Sequence, residues 1–160
     1  MNPDLKVTQE AIDHVRGMIE HSPNQLIQLA GFKVIDLSER HVRIECPLNV
    51  VHINHVGTAY AISMMMLMEV GGSSLIGCTY GIEKYVAIIK QVDIRFLKPC
   101  ITTIVCDLSM TEEEARERIA TVEERGRGSY MLPVKLIDKE ANIVAEADFN
   151  FYLLPADIKF

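Results

Sequence analysis

One stretch constrains this chain more than any other: Ala59-Tyr60-Ala61-Ile62-Ser63-Met64-Met65-Met66-Leu67-Met68-Glu69-Val70. Its alanines and methionines favour helix over strand, so residues 57–72 are expected to form a central helix. A helix that is apolar on every side has to be buried on every side. The apolar window ends at Glu69 and two glycines, short of the length a bilayer crossing needs. Protein, not lipid, is therefore expected to cover it.

The rest of the chain supplies a cover. Ala11, Ile12, Val15, Met18 and Ile19 recur at helical spacing over residues 8–20, with Thr8 as N-cap. Pro23 ends that helix, and a short turn of helix over 25–30 closes at Gly31. Residues 32–37 and 42–46 flank Ser38-Glu39-Arg40 and read as a hairpin. Strand alternation returns in Val92, Ile94 and Phe96 at the end of 85–97, and in Ile104, Cys106, Leu108 and Met110. It recurs in Tyr130 to Leu136 and again in Ala145, Ala147, Phe149, Phe151 and Leu153. Thr111 with Glu114 forms a capping box opening a charged helical insertion at 111–124. An antiparallel sheet with one apolar face and one all-apolar helix bury each other, which predicts an α+β domain.

With 160 residues, about half of them apolar, the chain is expected to be a single domain with an N-terminal helical segment at 1–31. A net charge of −6 argues against nucleic acid or an anionic membrane as partner. Cys46, Cys78, Cys100 and Cys106 lack metal-ligand spacing and lie in or beside apolar runs, as reduced buried thiols would. No basic-led apolar stretch opens the chain, and a cytoplasmic protein is expected. His52 and His55 have no third partner to make a metal site. The Met64-Met65-Met66 and Met68 cluster suits plain core, with an apolar ligand tunnel as the alternative.

Asn54-His55-Val56-Gly57-Thr58 before the apolar helix, Glu69 inside it, and Phe96-Leu97-Lys98-Pro99 after a long strand resemble the hot-dog acyl-CoA thioesterases of the phenylacetyl-CoA thioesterase type. The charged insertion resembles an uncharacterised branch of that superfamily. The likeness spans residues 24–154 and implies a hot-dog fold, a long central helix wrapped by a five- or six-stranded antiparallel sheet. It also implies an acyl-CoA or acyl-carrier-protein thioester as partner, with coenzyme A entering only as part of the substrate and no separate cofactor. The family's asparagine falls on Asn54, its carboxylate on Glu69, and the glycine whose N–H polarises the thioester carbonyl on Ala61. Gly57, Thr58, Tyr60, Ile62 and Met65 fall where substrate is contacted. Tyr60-Ala61-Ile62 replaces the family's His-Gly-Gly, and Ile88 and Ile89 stand where some relatives carry a hydroxyl.

Glu69 is the only charge between His55 and Glu83, counting histidine neutral. A carboxylate there costs several kcal/mol unless paired or protonated, so a chemical role is expected of it. Ala61 and Glu69 are eight positions apart, about 12 Å along one helix. A carbonyl held at Ala61 is out of reach of Glu69 in the same subunit. Two antiparallel copies of the helix would bring them together, so a homodimer or a dimer of dimers is expected. Glu69 would serve as general base or nucleophile, Ala61 as oxyanion donor, and Asn54 would orient water or cap the loop. Arg95, Lys98, Arg125 and Arg127 are available to phosphates, with none singled out. Two alternatives stay open. Hot-dog dehydratases place a histidine fourteen residues before a carboxylate, the spacing of His55 and Glu69, and a non-catalytic acyl-CoA binder would suit the altered helix start.

Overall fold

The computed structural model describes residues 5–159; the remaining ends of the expected segments lie outside it. Six antiparallel strands form one sheet around one long helix, with two helices before it and one inserted between strands. In chain order these are α1 (Gln9–Glu20), α2 (Gln25–Ala30), β1 (Lys33–Ser38), β2 (His41–Cys46), α3 (Ala61–Tyr80), β3 (Tyr85–Phe96), β4 (Ile104–Ser109), α4 (Glu112–Arg125), β5 (Gly128–Ile137) and β6 (Ile143–Pro155). The sheet order is β1-β2-β4-β5-β6-β3, so β1 and β3 are its edges.

Alternation in the sequence becomes the two faces of the sheet. Tyr130, Leu132, Val134 and Leu136 of β5 are buried, as are Ala145, Ala147, Phe149, Phe151 and Leu153 of β6. On β3 the same alternation gives a different result: Val92 and Ile94 are half-buried and Phe96 is 48 % exposed. This strand is paired with β6 on one side only and bulges between Ile89 and Gln91. Its apolar side chains are therefore only partly covered within one chain.

The central helix departs from its expected bounds. It begins at Ala61 and runs past Gly71 and Gly72 to Tyr80, 20 residues and about 30 Å. Glycine disfavours helix by roughly 1 kcal/mol, which is why the pair reads as a stop. Here they are sites of close approach. A Cβ built on Gly71 would collide with Cys106 Sγ of β4, and one on Gly72 would lie 3.0 Å from the Phe151 ring of β6. The sheet presses on the helix at that level and leaves no room for a side chain. By length and composition this helix is also sufficient to cross a membrane, a correction to the shorter window expected from sequence. The sheet buries most of it.

Both ends of α3 are tied down. At its C-terminal end Tyr80 donates to the Ala115 carbonyl at 2.8 Å, and its oxygen lies 3.1 Å from the Tyr130 hydroxyl. That contact seats α4, whose Ala115, Ile119 and Val122 face inward while its charges face solvent. The expected capping box is present, with Thr111 and Glu114 exchanging hydrogen bonds, and Gly126 closes the helix in the left-handed conformation. Thr8 and Asn24 cap α1 and α2. Cys46, Cys78, Cys100 and Cys106 are buried free thiols, and burial pushes the first, second and fourth up to about 12.

The close packing at Gly71 gives a stability prediction. Gly71→Ala lowers stability in the wild-type background, because the new methyl meets the Cys106 sulfur. In a Cys106→Ala background the same change becomes neutral or stabilising. Urea denaturation of the four proteins in this cycle is expected to give a coupling of about 1 kcal/mol or more; additive effects would contradict the packing described.

Candidate active site on the central helix

The loop before α3 is held by its own polar groups. The Asn54 carboxamide oxygen accepts from the Val56 and Thr58 N–H groups at 3.0 and 3.1 Å, and its NH2 donates to Thr58 Oγ1 at 2.9 Å. Gly57 has φ +83, a conformation that suits glycine and closes this turn. Asn54, Gly57 and Thr58 thus form one self-braced loop. The Ala59 N–H then reaches the Cys100 carbonyl at 2.7 Å, tying the loop to the segment after β3.

His52 does the remaining anchoring, and the sequence alone did not reveal it. It is fully buried, stacked on Phe32, with Nε2 2.7 Å from the Ala30 carbonyl and Nδ1 2.9 Å from Ser63 Oγ. A carbonyl only accepts, so Nε2 carries a proton. In the neutral ring, Nδ1 then accepts from the Ser63 hydroxyl. The ring therefore pins the first turn of α3 to the end of α2. His55, by contrast, is exposed at the loop tip, with no hydrogen bond or ion pair among the described residues.

The start of α3 has no side-chain cap. The Met64 N–H is the first to fold back, onto the Tyr60 carbonyl. Ala61, Ile62 and Ser63 are left with N–H groups that meet no acceptor among the described residues. Such a turn presents donors and the positive end of the helix dipole. Ala61 is half-buried, and Tyr60 and Ile62 are exposed beside it.

Down the helix one stripe stays open to the outside. Ile62 and Met65 are exposed, and Met66, Glu69 and Ser73 are half-buried at successive turns, while Met64, Leu67 and Met68 are core. The methionine cluster is thus divided between core and stripe. Glu69 lies on this stripe, and no hydrogen bond or ion pair reaches its carboxylate among the described residues. Burial raises its carboxyl above the ordinary range.

Glu69 also borders a groove of about 650 Å³ that runs between α1, α2, α3 and the start of β3. Its walls are largely apolar, with Met18, Ile19 and Ile27 on the N-terminal helices and Tyr85 and Ala87 on β3. From sequence the N-terminal segment reads as an amphipathic helix followed by a short helical turn; its part in a groove emerges only in the fold. A hint was available in the adjacent Ser73 and Ser74, which interrupt the apolar helix. Within one chain Asn54, Gly57, Thr58, Tyr60, Ala61 and Ile62 gather at the helix start, with Met65 one turn along and Glu69 two turns along. Among the described residues no group of three His, Cys, Asp or Glu side chains gathers as metal ligands.

This architecture is that of the hot-dog thioesterase structures. A probable thioesterase of unknown function from Pseudomonas aeruginosa matches with TM-score 0.79 and 25 % identity, covering 89 % of this chain and 95 % of that one. The E. coli PaaI protein from the phenylacetic acid degradation operon matches at 0.68 and 10 %, over 92 % and 95 %. A hypothetical thioesterase from Streptococcus pneumoniae TIGR4, solved with coenzyme A, matches at 0.57 and 12 %, over 78 % and 86 %. The chain belongs to the family described as a domain of unknown function (DUF4442), whose model matches residues 27–153. No curated protein matches.

An unpaired, partly buried carboxylate leaves a signature in stability. Its folded value lies above the unfolded value of about 4.3, so the folded state loses stability as pH rises from there through the raised value. Glu69→Gln is expected to match wild type near pH 4 and to be the more stable protein at pH 7–8. Denaturation midpoints across pH measure this; a variant less stable than wild type at neutral pH would mean that the carboxylate has a partner.

Proposed function

We propose that this protein hydrolyses an acyl-CoA thioester at sites shared between the two protomers of a homodimer. The observation that carries the proposal is the open stripe on α3. It exposes an unpaired carboxylate and a donor-rich helix start that one chain holds too far apart to act on one carbonyl. The named thioesterases of the same fold, one of them solved with coenzyme A, support the class of reaction and the ligand.

Two uncovered features support the dimer. β3 presents a 12-residue edge with one side unpaired, and long open edges ordinarily find a partner. The α3 stripe lies alongside with Ile62 and Met65 exposed. Joining two β3 edges about a two-fold axis sets the α3 helices antiparallel. Glu69 of one chain aligns with Ala61 of the other if the axis passes beside the position midway between them, which is Met65.

In that arrangement the Ala61 N–H, with its neighbours in the first turn, donates to the thioester oxygen as negative charge develops there. Glu69 of the other chain takes a proton from water, and the water oxygen bonds to the carbonyl carbon. Collapse of the tetrahedral intermediate breaks the C–S bond, leaving a carboxylic acid and a thiolate that takes up a proton. A carboxyl raised by burial is a stronger base than an exposed one, which suits this task near neutral pH. Asn54 and His52 act by positioning: one braces the loop and the other holds the first turn. A reducing, cytoplasmic setting suits four buried free thiols.

The reading predicts thiol release from a panel of acyl-CoA esters, lost by about 10²–10⁴-fold in Glu69→Gln. Met65→Arg sets like charges against each other at the axis, and is expected to give folded, inactive monomers by native mass spectrometry. Unchanged turnover in Glu69→Gln, or full activity from monomers, would overturn it. Hydration of enoyl-CoA without thiol release would favour the dehydratase alternative.

A further inference from the structure

The groove beside Glu69 contains a second polar group with no partner. Ser74 is 5 % exposed and lines the groove, yet its hydroxyl makes no hydrogen bond among the described residues. Serine in a helix usually bonds back to a carbonyl one turn earlier. Ser73 does so, to Glu69 and Val70 at 2.9 and 3.2 Å, and Thr79 does so to Leu75 at 2.6 Å. Ser74 therefore stands out on its own helix. Its oxygen is reached from the groove rather than enclosed, so a molecule bound there can pair with it.

We infer that this groove takes the acyl group of the thioester, and that Ser74 selects acyl groups carrying a hydroxyl or keto oxygen partway along their length. The inference rests on the thioesterase reading, since the groove opens at Glu69, where the reacting carbonyl would lie. From there an acyl chain passes between Met18 and Ile27 of the N-terminal helices and Ala87 of β3, against apolar surface. Ser74 lies five residues beyond Glu69 on α3, an axial distance of about 7.5 Å. The oxygen it reads is thus several carbons from the thioester, and the reacting end is untouched by it. α1 and α2 form the roof, so the N-terminal segment sets what fits: Val15 of α1 packs so closely on α3 that a Cβ on Gly77 would lie 2.8 Å from its methyl.

The test is a matched panel of acyl-CoA esters of equal length, unsubstituted or with a hydroxyl or keto group at successive carbons. Wild type is expected to prefer one substituted position by about five- to tenfold in kcat/KM, and Ser74→Ala to lose that preference while keeping the unsubstituted substrates. Met18→Trp, a change at a half-exposed rim position, is expected to exclude longer chains from the groove. The same pairs are measured as non-hydrolysable thioether analogues binding to Glu69→Gln protein by calorimetry, a readout independent of turnover. A Ser74-dependent preference in binding without hydrolysis of any ester would leave the groove assignment standing and remove the hydrolase reading. Hydrolysis with no preference, or with one that Ser74→Ala retains, would overturn the assignment and leave the hydrolase reading standing. Failure of every ester and every analogue to react or bind would remove both.

Discussion

Burial of α3 is the constraint on which the rest of this structure depends. The helix has almost no polar face, and the sheet closes over it tightly enough that Gly71 and Gly72 meet β4 and β6 without room for side chains. The sheet and α1 together cover all but one stripe. That stripe is where the helix carries its single charge and where β3 leaves an edge unpaired. Incomplete burial of helix and incomplete pairing of strand occur on the same chain, and the proposed association of two copies would answer both. The chemistry proposed here is a consequence of that unfinished packing.

The polar groups around the helix start divide into those that hold and those that remain free. Asn54 uses its carboxamide within its own turn, and His52 uses both ring nitrogens on Ala30 and Ser63. What they hold in place is a first turn whose amides are unsatisfied. Glu69 and Ser74 likewise have no protein partner but are reached from the groove, whereas the one enclosed side-chain polar atom without a partner among the described residues is Asn150 Oδ1. Unpaired groups gathered around one groove and one helix stripe are what a ligand would complete.

Much of this was legible in the chain because local rules and global packing agree. Period-two alternation marked the buried faces of β5 and β6, Thr111 with Glu114 announced the cap of α4, and the all-apolar run announced the buried helix. Its length was misjudged because the same residue type that ends helices also permits close approach of a sheet, and one sequence does not distinguish the two. Glu69 was visible as a lone charge. His52 was not, since its partners lie 22 and 11 residues away and only the fold brings them together. The groove was invisible for a similar reason: its walls come from α1, α2, α3 and β3, and an amphipathic helix such as α1 looks the same whether it lies on a core or roofs a cavity.

A site divided between two chains has a property that no single-chain site shares. Ala61→Pro removes the proposed donor at the first helical position, where proline is tolerated and where the extended Tyr60 before it is compatible. A dimer of Ala61→Pro chains and a dimer of Glu69→Gln chains should each be inactive. When the two are mixed and allowed to exchange, each hybrid dimer contains one doubly altered site and one intact site. The account predicts that acyl-CoA hydrolysis appears on mixing and rises with the hybrid fraction to about half the wild-type rate per hybrid dimer. A mixture as inactive as its parents, with hybrids demonstrably formed, would contradict it.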